Sequence, residues 1–180
     1  MKGIQLREFK PTFFFLTKFV GIYLVLNLLY GFYITAYYPK PDPVTHIVSE
    51  NSAALLRFIG LDVVTSDHPT RPTTALVYDG KSPVTVYEGC NGINVMIVFL
   101  AFTVAFGPIG KKMLYFLLLG FACIYLINLI RIILLFWVSR DLPHYMYFTH
   151  KYFFTAIIYV MVLILWIGWV RLSLSLNSKR

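Results

Sequence analysis

Four long apolar stretches divide the sequence, and prolines, glycines or basic residues separate them. A predominantly apolar stretch of this kind is typical of a membrane-spanning helix. We therefore predict transmembrane helices at about 13–37, 92–106, 113–138 and 152–170. The second stretch is short, so its first turn is expected to begin in the headgroup region.

The long polar connection at 38–91 is predicted to be structured. Closely spaced prolines at 39–43 end the first helix, because proline cannot continue one. Apolar residues at helical spacing across 44–59 predict a helix that lies along the membrane surface, with Gly60 as its C-cap. The alternating stretches 73–78 and 84–87 flank Asp79 and Gly80, which favours a β-hairpin.

Composition and charge agree with a membrane protein. Hydrophobic residues make up 58% of the 180 residues, which excludes an ordinary soluble domain. The fold class is thus an all-α polytopic membrane protein, with residues 1–180 as one membrane domain and 38–91 as an extracytoplasmic segment.

The net charge of +8 resides in basic residues at the ends of the apolar stretches, a distribution that orients helices and gives no indication of nucleic acid. It places both termini in the cytoplasm and the segments 38–91 and 140–151 outside.

The polar loop Glu88-Gly89-Cys90-Asn91-Gly92 runs into the second apolar stretch and places a thiol at the water–lipid boundary. The positive end of a helix dipole favours the thiolate over the thiol, so we expect Cys90 to be reactive. The two glycines remove side-chain bulk, which would let another backbone approach the sulfur. A small buried cysteine in a helix cap is the alternative.

Arg131 lies inside the third apolar stretch, which carries no other charge between 114 and 138. An arginine at this depth costs several kcal/mol unless it is paired or hydrated, so it marks a functional site. Asn128, one turn earlier, is expected to hold the guanidinium by a hydrogen bond. The alternative is an arginine whose side chain reaches the interface.

His150 begins the fourth predicted membrane span and lies on the outer side, as do Cys90 and Arg131 in this topology. A thiol, a histidine that moves protons and a guanidinium that stabilises an oxyanion are the parts of a thiol acyltransferase or protease. His144 is an alternative base. Metal-ligand spacings are lacking, so neither a metal nor a cofactor is expected, and Cys123 is interpreted as a packing thiol.

Three short motifs resemble the exosortase/archaeosortase family of membrane cysteine transpeptidases. They are Glu88-Gly89-Cys90-Asn91-Gly92, then Asn128-Leu129-Ile130-Arg131, then Phe148-Thr149-His150. The small exosortase F-type proteins of Bacteroidetes are the nearest likeness. Asn91 stands where most members have Ser, which leaves the role of that hydroxyl open.

The resemblance implies a bacterial inner-membrane enzyme with Cys90 as nucleophile, His150 as acid/base and Arg131 as the transition-state or substrate-positioning residue. It also implies Glu88, Asn91, Gly92 and Asn128 as supporting residues. The substrates would be exported proteins with a C-terminal sorting tail, cleaved through a thioester and transferred to a surface anchor. The other partners of the protein would be the lipid bilayer and a small membrane partner or a second copy of the chain.

Two other classes of protein remain open on the sequence. A non-catalytic scaffold or transporter subunit would pair Arg131 with a partner's carboxylate. A thiol–quinone oxidoreductase would need two thiols within reach, and Cys123 lies too deep for that.

Overall fold

The computed structural model describes the backbone of residues 9–177 and the side chains of residues 9–175. In chain order, the helices and strands are α1 (Lys10–Tyr37), α2 (Pro43–Phe58), β1 (Val64–Asp67), β2 (Thr73–Tyr78), β3 (Lys81–Tyr87), α3 (Ile93–Phe106), α4 (Lys111–Asp141), α5 (Met146–Phe148) and α6 (Phe154–Asn177). Short 3₁₀ turns at Glu88–Cys90 and Pro143–Tyr145 and a π-helical turn at Thr149–Phe153 connect them.

Within the described residues, three helical segments are long and apolar enough to cross a membrane: Lys10–Tyr37, Lys111–Asp141 and Pro143–Ser175. Their length and composition are those of membrane-spanning helices. Helix α3 is apolar but has 14 residues, about 21 Å at 1.5 Å per residue, which is shorter than a ~30 Å hydrocarbon core. The number of spans therefore stays a prediction.

The connection between α1 and α3 contains more β-structure than the sequence pattern indicated. Strands β2 and β3 form the expected antiparallel pair, and β1 adds a third strand on the free side of β2. Asp79 and Gly80 both have positive φ angles, 50° and 69°, as a two-residue hairpin turn requires. The description of the fold as helices plus one hairpin therefore omitted one strand.

Helix α2 has one face in the protein core, so its description as a surface helix is incomplete. Asp42 caps its first turn by accepting from the amides of Val44 and Thr45 at 3.0 and 3.1 Å. The buried face packs with the sheet and α4 in one apolar cluster that includes Val48, Leu56, Leu76, Val86, Leu129, Ile132 and Phe136. The opposite face keeps Ile47, Leu55, Phe58 and Ile59 exposed.

Helix α1 stands at the edge of the bundle, and none of its residues is buried. Its N-terminal half contacts α3 through aromatic rings. The ring centre of Phe15 lies 5.5 Å from that of Phe102 and 5.7 Å from that of Phe106. Its C-terminal half contacts the loop before α3 through hydrogen bonds of the Tyr30 hydroxyl. Consequently α1 connects the two ends of α3, including the end that carries Cys90.

Candidate active site

Strand β3 leads directly into the turn that contains Cys90. The strand ends at Tyr87, a 3₁₀ turn covers Glu88–Cys90, and Gly92 then caps α3 with a φ of +89°. Only glycine adopts this left-handed conformation without steric cost, so Gly92 permits the sharp entry into the helix. Cys90 is 6% exposed and lies at the border of the apolar cluster shared by α2, the sheet and α4.

The structure brings Cys90, Arg131 and His150 together. The Cys90 Sγ lies 3.8 Å from Nε2 of His150 and 3.9 Å from Nη2 of Arg131. These distances match weak hydrogen bonds to sulfur, so one sulfur contacts both a proton acceptor and a fixed cation. The three side chains come from the loop before α3, from α4 and from the π-helical turn before α6.

The charge state of Cys90 differs from the sequence-based expectation. Burial raises the pKa of the Cys90 thiol above its usual value, while the Arg131 charge and hydrogen bonds from Tyr87 and Arg131 act to lower it. Burial outweighs these contacts because the sulfur has little access to water. The prediction that the helix end favours a thiolate is therefore wrong for the free protein, in which the neutral thiol is favoured.

Asn128 supports the cysteine backbone. Its Nδ2 donates to the Cys90 carbonyl at 2.9 Å, and its side chain is 2% exposed. The prediction that Asn128 holds the Arg131 guanidinium is thus wrong. Among the described side chains, neither Asn128 Oδ1 nor Arg131 Nε has a hydrogen-bond partner, although both atoms are buried.

Asn91 connects the cysteine loop to α1 and α2. Its Nδ2 donates to the Tyr30 hydroxyl at 2.8 Å and to Thr45 Oγ1 at 3.1 Å. Its Oδ1 accepts from the amide of Ile93 at 3.0 Å, which caps the start of α3. Glu88 is half-buried, and its carbonyl accepts from Tyr30 at 3.3 Å. The amide at position 91 therefore holds the loop in place and makes no hydrogen bond to the sulfur.

The two glycines of the loop each have a neighbouring side chain close to their α-carbon. A β-carbon at Gly92 would lie 3.4 Å from Cγ of Asn128, and one at Gly89 would collide with the Tyr87 ring. Gly89 is also exposed and lines an open cleft, so the approach of another backbone to the sulfur stays a prediction. The two glycines allow Asn128 and the Tyr87 ring to approach the chain on either side of Cys90.

His150 lies within a helical segment and does not begin one. The π-helical turn Thr149–Phe153 places it one turn before α6, and Thr155 Oγ1 donates to its carbonyl at 3.5 Å. Single π-helical turns often occur at functional sites because they reorient one side chain. His144 is exposed, with its ring 5.5 Å from that of Tyr145, and the structure gives it no contact with Cys90.

A cleft of about 380 Å³ opens beside the cysteine, between the start of α3 and α6. It is lined by Tyr87, Gly89, Asn94, Val95, Arg131, His150, Lys151, Thr155, Ile158 and Tyr159. Sequence reasoning missed Tyr87 and Asn94 as site residues. The alternation of β3 could have indicated Tyr87, because Val84 and Val86 occupy the buried face. No cluster of three or more potential metal ligands occurs within the described part of the chain.

Comparison with sequence families decides the class of protein. The model of the transmembrane exosortase family matches residues 10–168. The chain belongs to this family. Exosortases are membrane transpeptidases that act in protein sorting, which agrees with the long apolar helices. Comparison with curated proteins and with solved structures gave no match.

Proposed function

We propose that this exosortase cleaves C-terminal sorting signals of exported proteins through a thioester at Cys90 and transfers the product to a surface anchor. One observation carries the proposal: a single buried sulfur lies within 3.8 Å of an imidazole nitrogen and 3.9 Å of a guanidinium nitrogen. A nucleophile, a proton carrier and a fixed positive charge are the groups that acyl transfer requires.

Each residue has a distinct role in the first half of the reaction. His150 takes the thiol proton as the sulfur attacks the scissile carbonyl carbon, and the carbonyl electron pair moves onto the oxygen. Arg131 stabilises this oxyanion. When the oxyanion collapses, the C–N bond breaks and His150 returns the proton to the leaving nitrogen. The upstream part of the substrate stays on Cys90 as a thioester.

The second half reverses these proton movements. His150 deprotonates the acceptor nucleophile as it attacks the thioester, the C–S bond breaks, and His150 returns the proton to the Cys90 sulfur. The hydrogen bond from Asn128 to the Cys90 carbonyl holds the loop while the sulfur changes partners. Because burial favours the neutral thiol, we expect its deprotonation to accompany substrate attack.

The proposal includes a topology. Helix α3 would be the fourth span, with its first turn in the interface, both termini in the cytoplasm and the β-sheet outside. A substrate helix beside the cleft would then present its outer end at the depth of Cys90. Arg131 is half-buried within this chain, and a small membrane partner or a second copy would cover the rest of its surface.

The test uses native cells in which Cys90→Ala or Cys123→Ala replaces the wild-type protein. We expect exported proteins with a C-terminal apolar helix and basic end to accumulate in full-length form only with Cys90→Ala. We also expect a hydroxylamine-sensitive acyl adduct on Cys90 of the wild type. Normal processing with Cys90→Ala would refute the proposal and favour a non-catalytic scaffold, for which Arg131→Ala would disrupt assembly.

A further inference from the structure

Tyr87 occupies a position beside the sulfur that the mechanism above does not use. It is the last residue of β3, it is 41% exposed, and it lines the same cleft as Arg131 and His150. Val84 and Val86 face the core, so strand alternation turns Tyr87 to the opposite face. Its ring lies against Gly89, where even a methyl group would collide with it.

The Tyr87 hydroxyl also interacts with Cys90. A hydrogen bond from the Tyr87 side chain lowers the pKa of the thiol, and the Cys90 sulfur together with burial raises the pKa of Tyr87. The phenol therefore stays protonated at neutral pH and acts as a donor. An imidazole, a guanidinium and a phenol thus line one cleft beside the Cys90 sulfur.

We propose that Tyr87 is a further catalytic residue, whose hydroxyl donates a second hydrogen bond to the oxyanion formed when Cys90 attacks a carbonyl group. This inference rests on the proposed function. In the attack, the S–C bond forms and the negative charge moves from sulfur to the carbonyl oxygen, two bonds away. A phenol that lines the cleft beside the sulfur can reach that oxygen by a small rotation of the ring.

The division of roles follows from proton balance. His150 must keep the thiol proton for the leaving nitrogen, so it cannot also be the oxyanion donor. Arg131 supplies positive charge from α4, and Tyr87 supplies a neutral donor from the strand. Because the ring packs on Gly89 of the cysteine loop itself, the donor keeps its distance to Cys90 if α4 or α6 shifts.

The experiment compares two reactions of Cys90 in the purified full-length protein, with Cys123→Ala as the common background. Iodoacetamide alkylates the sulfur without forming an oxyanion, whereas p-nitrophenyl acetate acylates it through a tetrahedral oxyanion. Both rates are measured across pH, with Cys90→Ala subtracted as background. Tyr115→Phe, which removes an exposed phenol near the opposite end of α4, is the matched control.

We expect Tyr87→Phe to lower the ratio of acylation to alkylation rates by about 10²-fold, the usual effect of removing one oxyanion donor. Gly89→Ala keeps the phenol but displaces its ring, and it should lower the ratio in the same direction. Tyr115→Phe should leave the ratio unchanged. An equal change in both rates with Tyr87→Phe would overturn the inference, because it would show an effect on the thiol alone.

Failure of the proposed function gives a different result. A wild-type protein that is alkylated but never acylated would overturn both the thioester mechanism and the role of Tyr87. A wild type that is acylated, with an unchanged ratio in Tyr87→Phe and Gly89→Ala, would overturn only the role of Tyr87.

Discussion

Replacing Arg131 with methionine should make Cys90 a weaker nucleophile in a measurable way. The guanidinium nitrogen lies 3.9 Å from the sulfur and stabilises the thiolate. Coulomb's law gives about 1 kcal/mol for this distance in water and about 4 kcal/mol at an effective dielectric constant of 20. Even the smaller value lowers the thiolate population at neutral pH about fivefold.

The sign of the pH effect follows from the same contact. Burial raises the pKa of Cys90, and the Arg131 charge is the largest opposing influence. Loss of that charge raises the pKa further, so the alkylation profile should move to higher pH, and the rate at neutral pH should fall at least about fivefold. Arg131→Lys keeps a positive charge and should move the profile less.

The assay follows iodoacetamide labelling of the Cys123→Ala protein in detergent between pH 6 and 10.5, with glutathione measured alongside. The wild-type midpoint should lie above that of glutathione. Arg140→Met is the matched control, because Arg140 pairs with Asp141 and stacks on Trp137, 4.1 Å from its ring. A midpoint that stays in place or moves to lower pH in Arg131→Met would refute the electrostatic argument.

Three further substitutions test other parts of the site. Gly92→Ala places a side chain at a φ of +89° and should cost about 1–2 kcal/mol, seen as a lower thermal unfolding temperature in detergent; an unchanged temperature would contradict this. Asn91→Ala removes the hydrogen bonds to the Tyr30 hydroxyl and to Thr45 Oγ1 and should cost about 1–3 kcal/mol in the same assay, with a smaller loss in Asn91→Ser. His150→Ala should slow acylation by p-nitrophenyl acetate at least about 10²-fold, whereas His144→Ala should not. The opposite result would assign the acid/base role to His144.

Local chemistry explains why the sequence was informative about several elements. Long apolar stretches are unstable in water, so they predicted both ends of α1 and α4 within three residues, whereas α6 continues seven residues beyond the predicted end at Val170. A charged side chain inside such a stretch needs a polar site, which marked Arg131. The Asp79-Gly80 turn selected the hairpin because few other residues tolerate its backbone angles. These signals depend on near neighbours in the chain.

Only the tertiary structure decided the charge state of the thiol and the contacts of its supporting residues. Burial depends on what packs over Cys90 from α2, the sheet and α4, and it raises the pKa of the thiol above its usual value. Asn128 donates to the Cys90 carbonyl because the loop, and not the guanidinium, lies beside its amide. Tyr87 lines the cleft beside Cys90 because β3 ends at Tyr87, three residues before the cysteine. Such contacts join distant segments, and their distances follow from packing, which no local pattern records.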